Sequence, residues 1–190
     1  TYASGDEVLA LQSDPSDARR LWAGTEGGGV IVWDAAAATF EHHAAPMQPG
    51  LPSNRVYDVA FVPADGTPWL ATAGDVVRAS GAAWRAWSSA DGLPSDVVRT
   101  VAVDRRGVVW AGADAGIAFL APGADRWQVA ARDTFTRFSR ATKKGPGATG
   151  AADSVVDGRG RTWFAHGRDR VDEDRAGPFG TGNPEPVLVL

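Results

Sequence analysis

The side chains best suited to chemistry are few. The 190-residue chain has no cysteine and three histidines, His42, His43 and His166. A zinc centre needs three or four ligands at suitable spacing, and a thiolate site is excluded outright. Neighbours on a strand point to opposite faces, so His42 and His43 would not converge on one ion and read as ordinary exposed strand histidines. The run TEGGGV (Thr25 to Val30) is glycine-rich but lacks the lysine and the strand-to-helix setting of a phosphate cradle. DGRGR from Asp157, and the acidic group Asp172, Glu173, Asp174, do not follow the spacing of a calcium loop. No Gly-x-Ser-x-Gly elbow is present. The expectation is therefore no catalytic residue, no metal and no cofactor.

Charge gives two further groups. Between Ala131 and Gly150 the basic residues Arg132, Arg137, Arg140, Lys143 and Lys144 face one acid, Asp133, and alternate with Phe135 and Phe138. Such a stretch suits an acidic partner or lipid headgroups, or is a solvated loop. The second group is Asn54, Arg55, Asp96 and Arg99, which sit in or just after two copies of the same short motif.

That motif reveals the scaffold. GLPSNRVYDVAFV from Gly50 returns as GLPSDVVRTVAVD from Gly92, an offset of 42 residues. Each is followed by a Trp-bearing segment, around Trp69 and Trp110, and related segments surround Trp22 and Trp163. A further aromatic follows the first three copies at Phe40, Trp84 and Trp127. A period of this length in short β-rich pieces, without helical periodicity, fits a four-stranded propeller blade. Strand A ends near Asp14, Val62, Asp104 or Asp157, strand B carries the Trp, strand C follows a Gly-rich turn, and strand D carries the later aromatic. The A-to-B turns hold ADG (Ala64 to Gly66), DRRG (Asp104 to Gly107) and DGRG (Asp157 to Gly160), where Asp binds nearby amides and Gly supplies positive φ. Gly24, Ala71, Gly112 and Ala165 are small where stacked sheets must approach, and the four Trp residues should fill the space between blades. His166 takes the place of Thr25 or Ala113, at a blade edge.

Composition agrees with a folded chain. At 44% hydrophobic and 22% charged residues it is not a disordered sequence. No apolar run approaches the ~20 residues of a membrane-spanning helix. The net charge of -4 offers no field for nucleic acid.

The pattern of GLPS then Asn or Asp, an apolar strand, Asp and Gly, then Trp, aliphatic, Gly and Thr resembles the two-component-regulator propeller repeat. Gly50 to Asn54, Gly92 to Asp96, Trp22 to Thr25 and Trp110 to Gly112 carry the likeness, which covers roughly residues 5 to 131. The fourth copy lacks GLPS and has Ser154 in an aliphatic position. The expected fold is all-β, a propeller of about four four-stranded antiparallel blades, as a partial ring or part of a larger one. The expected division is a single propeller segment over residues 1–190: blade 1 at 5–47, blade 2 at 48–90, blade 3 at 91–131, a basic insertion at 132–150 and a degenerate blade 4 at 151–190. PVLVL (Pro186 to Leu190) would close a blade.

The resemblance implies a bacterial, extracytoplasmic sensing region, periplasmic or secreted. The leading reading is a non-catalytic recognition module for a protein partner or an extracytoplasmic ligand, small molecule or glycan, with neither nucleic acid nor a transmembrane segment. Self-association through open blade edges is a second expectation, because unpaired edges and uncovered faces favour pairing. A structural subunit of a larger assembly, or a propeller lyase or glycan-active enzyme, are the alternatives. The D-to-A turns should lie at one end of the ring, which makes Asn54, Arg55, Asp96 and Arg99 candidate binding residues, beside Arg137, Arg140, Lys143 and Lys144 of the insertion.

Overall fold

A computed structural model describes residues 6–82, 84–130, 151–156, 162–166 and 186–189, and the side chains of the last three segments only at Val156 and Thr162. The architecture is all-β. The first sheet holds β1 (Val8–Ser13), β2 (Arg20–Thr25), β3 (Val30–Asp34) and β4 (Thr39–His43). The second holds β5 (Val56–Phe61), β6 (Pro68–Thr72), β7 (Asp75–Arg78) and β8 (Arg85–Trp87). A single 3-10 turn (Ser89–Asp91) leads to the third, with β9 (Val98–Val103), β10 (Val109–Ala113), β11 (Gly116–Leu120) and β12 (Gln128–Val129). Three strands of a fourth sheet are described, β13 (Ala151–Val156), β14 (Thr162–His166) and β15 (Pro186–Val189). All pairings are antiparallel meanders, and the first strands pack in order, β1 on β5, β5 on β9 and β9 on β13.

Local chemistry explains the meander. Asp14 Oδ1 accepts from the Ser16 amide at 2.8 Å, and Asp104 Oδ1 from the amides of Arg106 and Val108 at 2.8 and 3.0 Å, closing the A-to-B turns. Where the second sheet has Val62 instead, Asp65 takes over and accepts from the Thr67 amide at 2.9 Å. The B-to-C turns use a threonine. The Thr25 hydroxyl donates to the Gly29 carbonyl at 3.0 Å, and Thr72 donates to that of Asp75 at 2.9 Å. TEGGGV is thus a hairpin turn. The glycine opening each GLPS has a steric cause: a Cβ on Gly50 would lie 1.9 Å from the Trp84 carbonyl oxygen, and one on Gly92 2.4 Å from that of Trp127.

Packing between sheets follows the predicted small-and-large logic. A Cβ on Gly24 would come within 2.7 Å of the Val56 carbonyl oxygen, so the first sheet accepts the second only because that position is bare. Trp22, Trp69 and Trp110 are buried, each withdrawing about 150 to 250 Å² from water, or roughly 4 to 6 kcal/mol of transfer free energy. Trp22 meets Phe61 edge-on at 5.9 Å, and Trp69 meets Trp127 edge-on at 6.2 Å.

Two details differ from the sequence reading. Trp84 and Trp127 stand one residue ahead of β8 and β12, where they cap the neighbouring sheet. His43 is not an ordinary surface histidine: it lies against Trp22 at 6.5 Å and Trp84 at 5.0 Å, in the register slot that Trp87 fills in the second sheet. His42 does turn outward, with Nε2 2.5 Å from the Gly28 carbonyl. The basic stretch 132–150, with Arg137, Arg140, Lys143 and Lys144, lies outside the described residues, as do the DGRG turn and the side chains of Trp163, Ala165 and His166.

Candidate functional site

The first strands share one irregularity. In each pairing with the second strand a single residue is extra, at Leu9 in β1, Tyr57 in β5, Arg99 in β9 and Ala152 in β13. A β-bulge bends its strand and re-aims the side chain, and it recurs at barrel rims and beside binding sites. In the first three sheets the bulge falls at the end that carries the B-to-C turn, and the described D-to-A connections lie at that same end.

Leu9, Tyr57 and Arg99 line a cavity of about 660 Å³ running along the first strands of all four sheets, with Asp58, Phe61 and Val156 also in its wall. Arg99 is the centre of its polar part. Its guanidinium lies 4.5 Å from the centre of the Tyr57 ring and grips Asp114 of the following hairpin turn, Nε to Oδ1 at 2.8 Å and a terminal nitrogen to Oδ2 at 3.2 Å. Hydrogen bonding to Asp114 raises the Arg99 pKa further, so the group is a fixed cation. Arg55 approaches from the same end and pairs with Glu26 of the first sheet's turn. Its pKa is raised, first through the Tyr57 hydroxyl and then by the Glu26 charge. Glu26, Arg55, Tyr57, Arg99 and Asp114 therefore form one polar arc across three sheets at the mouth.

The other two predicted positions are committed to the scaffold. Asn54 Oδ1 accepts from the Ala45 amide at 2.6 Å and its Nδ2 donates to the Ala45 carbonyl at 3.2 Å. Asp96 Oδ1 accepts from the Ser89 amide at 2.6 Å, which holds its carboxyl below the ordinary range. Both pin the incoming strand D to the outgoing strand A.

Tyr57, Asp58 and Leu9 were not singled out from sequence. Tyr57 had a usable signal, since it precedes Arg99 by the 42-residue repeat offset. Asp58 links sheets: its Oδ2 accepts from the Thr100 hydroxyl at 2.7 Å and the Val101 amide at 2.9 Å, and its Oδ1 from the Val59 amide at 2.8 Å. Among the described lining residues it is the one carboxylate, and these bonds occupy both its oxygens.

A second cavity, about 400 Å³, opens at the opposite end between the second and third sheets. Arg85 lies 4.4 Å over the Trp87 ring there and pairs with Asp125 at 2.9 Å, with Arg78 and Arg106 alongside. Among the described residues no three histidines or carboxylates gather as a metal site, and no helix is long and apolar enough to cross a membrane.

No family model matches the sequence, and no curated protein matches it significantly. Solved structures do. The extracellular domain of BT3049 from B. thetaiotaomicron, described as a hybrid two-component system, superposes with a TM-score of 0.63 at 21% identity, over 83% of this chain and 20% of that one. The extracellular domain of BT4673 from the same organism gives 0.63 at 16% identity, over 87% and 20%. The GH74 xyloglucanase of Xanthomonas campestris gives 0.61 at 22% identity, over 85% and 28%. The chain thus spans about a fifth to just over a quarter of the length of these structures. Together with the stacked four-stranded meanders, these likenesses make the fold that of a β-propeller segment, shared by the extracellular domains of these two-component systems and by GH74 enzymes.

Proposed function

We propose that the chain is a non-catalytic recognition module of a sensor-type propeller, acting outside the cytoplasm, and that the bulged end of the channel is its binding surface. The repeat resembling the two-component-regulator family and the fold shared with the extracellular domains of BT3049 and BT4673 support this reading. The observation that carries it is the recurrence of one bulge in all four first strands, which brings Leu9, Tyr57 and Arg99 to one cavity mouth. An aromatic face with a fixed guanidinium on it suits a partner offering carboxylates and flat apolar surface, either an acidic peptide segment or an acidic glycan.

The test is a thermal-shift screen of the 190-residue chain against acidic and neutral oligosaccharides and acidic peptides. Any compound that raises the melting temperature is repeated with Tyr57→Ala, Arg99→Ala and, as a control at the far end, Arg85→Ala. Loss of the shift in the first two and its retention in the third is expected. Retention in all three, or loss only in Arg85→Ala, overturns the assignment of the mouth.

A further inference from the structure

The second sheet carries an arrangement that its neighbours lack. Arg78 on β7 and Arg85 on β8 are direct cross-strand partners, and Arg78 in turn faces Trp69 on β6. Residues opposite one another share a face of the sheet, and Trp87, two positions beyond Arg85, lies on the same one. That face packs on the third sheet, since Trp69 and Trp87 belong to one core cluster with Val98, Val109 and Leu120. Like charges directly opposite destabilise a sheet. The corresponding pairs avoid this cost: Val32 faces Glu41 in the first sheet, and Phe119 faces Gln128 in the third. Two guanidiniums side by side are therefore something that the meander does not require.

Both arginines line the cavity of about 400 Å³ between the second and third sheets, a volume within the range of small-ligand sites. Arg106 joins them from the A-to-B turn of the third sheet, so three guanidiniums from two sheets border one space. Two carboxylates share that lining. Asp65 is tied to the Thr67 amide at 2.9 Å, whereas Asp125 stands at the surface with its side chain 82% exposed. Its pair with Arg85 is of the weak, solvent-screened kind and gives way to a more highly charged anion. Arg85 lies over the Trp87 ring at 4.4 Å, and Val62, Leu120 and Pro122 supply apolar wall beside it.

We propose that this cleft is a second binding site, for a phosphate monoester carried on a small, flat, apolar body. A carboxylate has two oxygens in one plane, whereas a phosphate ester offers three to guanidiniums placed on two sheets, and its dianionic charge offsets the juxtaposition of Arg78 and Arg85. The Trp87 ring and the apolar wall take the remainder of the ligand. The site is independent of the channel mouth at the other end of the sheets.

Isothermal titration calorimetry of the 190-residue chain with phenyl phosphate tests this, with inorganic phosphate and benzoate for comparison. Phenyl phosphate should bind with a Kd below roughly 1 mM, and the other two at least about 10-fold more weakly. Arg78→Gln should weaken binding on the order of 10-fold or more. Asp125→Asn should strengthen it about threefold by releasing Arg85, and Tyr57→Ala should leave it unchanged. Arg78 and Asp125 are exposed, so neither replacement should lower the melting temperature. A native chain that takes up no phenyl phosphate, an Arg78→Gln chain that binds it like the native one, or an Asp125→Asn chain that binds it more weakly would each overturn the proposal. So would benzoate or inorganic phosphate binding as tightly as phenyl phosphate, or loss of binding in Tyr57→Ala.

Discussion

Replacing Asp75 by glycine should stabilise the chain, and the gain should depend on pH. Asp75 opens β7 with φ at 142°, where its counterpart in the third sheet is Gly116 with φ at 151°. A side chain held there costs about 1 to 3 kcal/mol, of which the extra backbone freedom of glycine returns roughly 0.5 to 1. The carboxyl adds a second cost. Burial first, then the nearby charges of Asp96 and Asp91, push its pKa up to about 6. A folded-state pKa above the unfolded one means that the native chain binds the extra proton, so stability falls as pH rises from about 4 through about 6. Full burial would make this about 3 kcal/mol; the residue is half-buried, and solvent screening reduces it to about 1 kcal/mol. Asp75→Gly should therefore gain about 2 kcal/mol at pH 7.5 and about 1 at pH 4. Asp75→Asn, which keeps the backbone strain, should gain about 1 kcal/mol at pH 7.5 and nothing at pH 4. Urea unfolding followed by tryptophan fluorescence measures both. An Asp75→Gly chain no more stable than the native one at pH 7.5, or an asparagine variant whose gain is the same at both pH values, would refute the reasoning.

Gly24→Ala should cost about 2 to 3 kcal/mol, because its methyl meets the Val56 backbone and not a movable side chain; chemical denaturation reads it. Asp58→Ala leaves the Thr100 hydroxyl and the Val101 amide without their acceptor between the second and third sheets, at a cost of about 2 to 3 kcal/mol in the same assay. Val59→Asp should unfold the chain under conditions where Leu11→Asp does not, since the same register slot is buried in one sheet and exposed in the other; circular dichroism distinguishes them.

The repeat made the meander legible before any coordinates. Asp65 and Asp104 announced their turns, Trp22, Trp69 and Trp110 their burial, and Gly24 the close approach of the next sheet, because each answers a local or nearest-neighbour requirement. The bulges were not legible: an extra residue leaves no mark on hydrophobic alternation, so Leu9 and Tyr57 looked like ordinary strand positions. Arg99 was picked out for its charge and its turn, yet its role rests on Tyr57 of another sheet. His43 shows the limit most clearly. A histidine in the slot of Trp87 stacks like an aromatic, because that outcome depends on the neighbouring sheet and not on the residue.

The absence of cysteine allows a direct test of the central claim, that the bulged end of the channel is the binding surface. Leu9→Cys places one thiol at that mouth and Arg106→Cys places one at the opposite end. Maleimide labelling rates are measured for each with and without a compound that raises the melting temperature of the native chain. The account predicts slowed labelling at position 9 and an unchanged rate at position 106. Protection at 106 with none at 9 would contradict it.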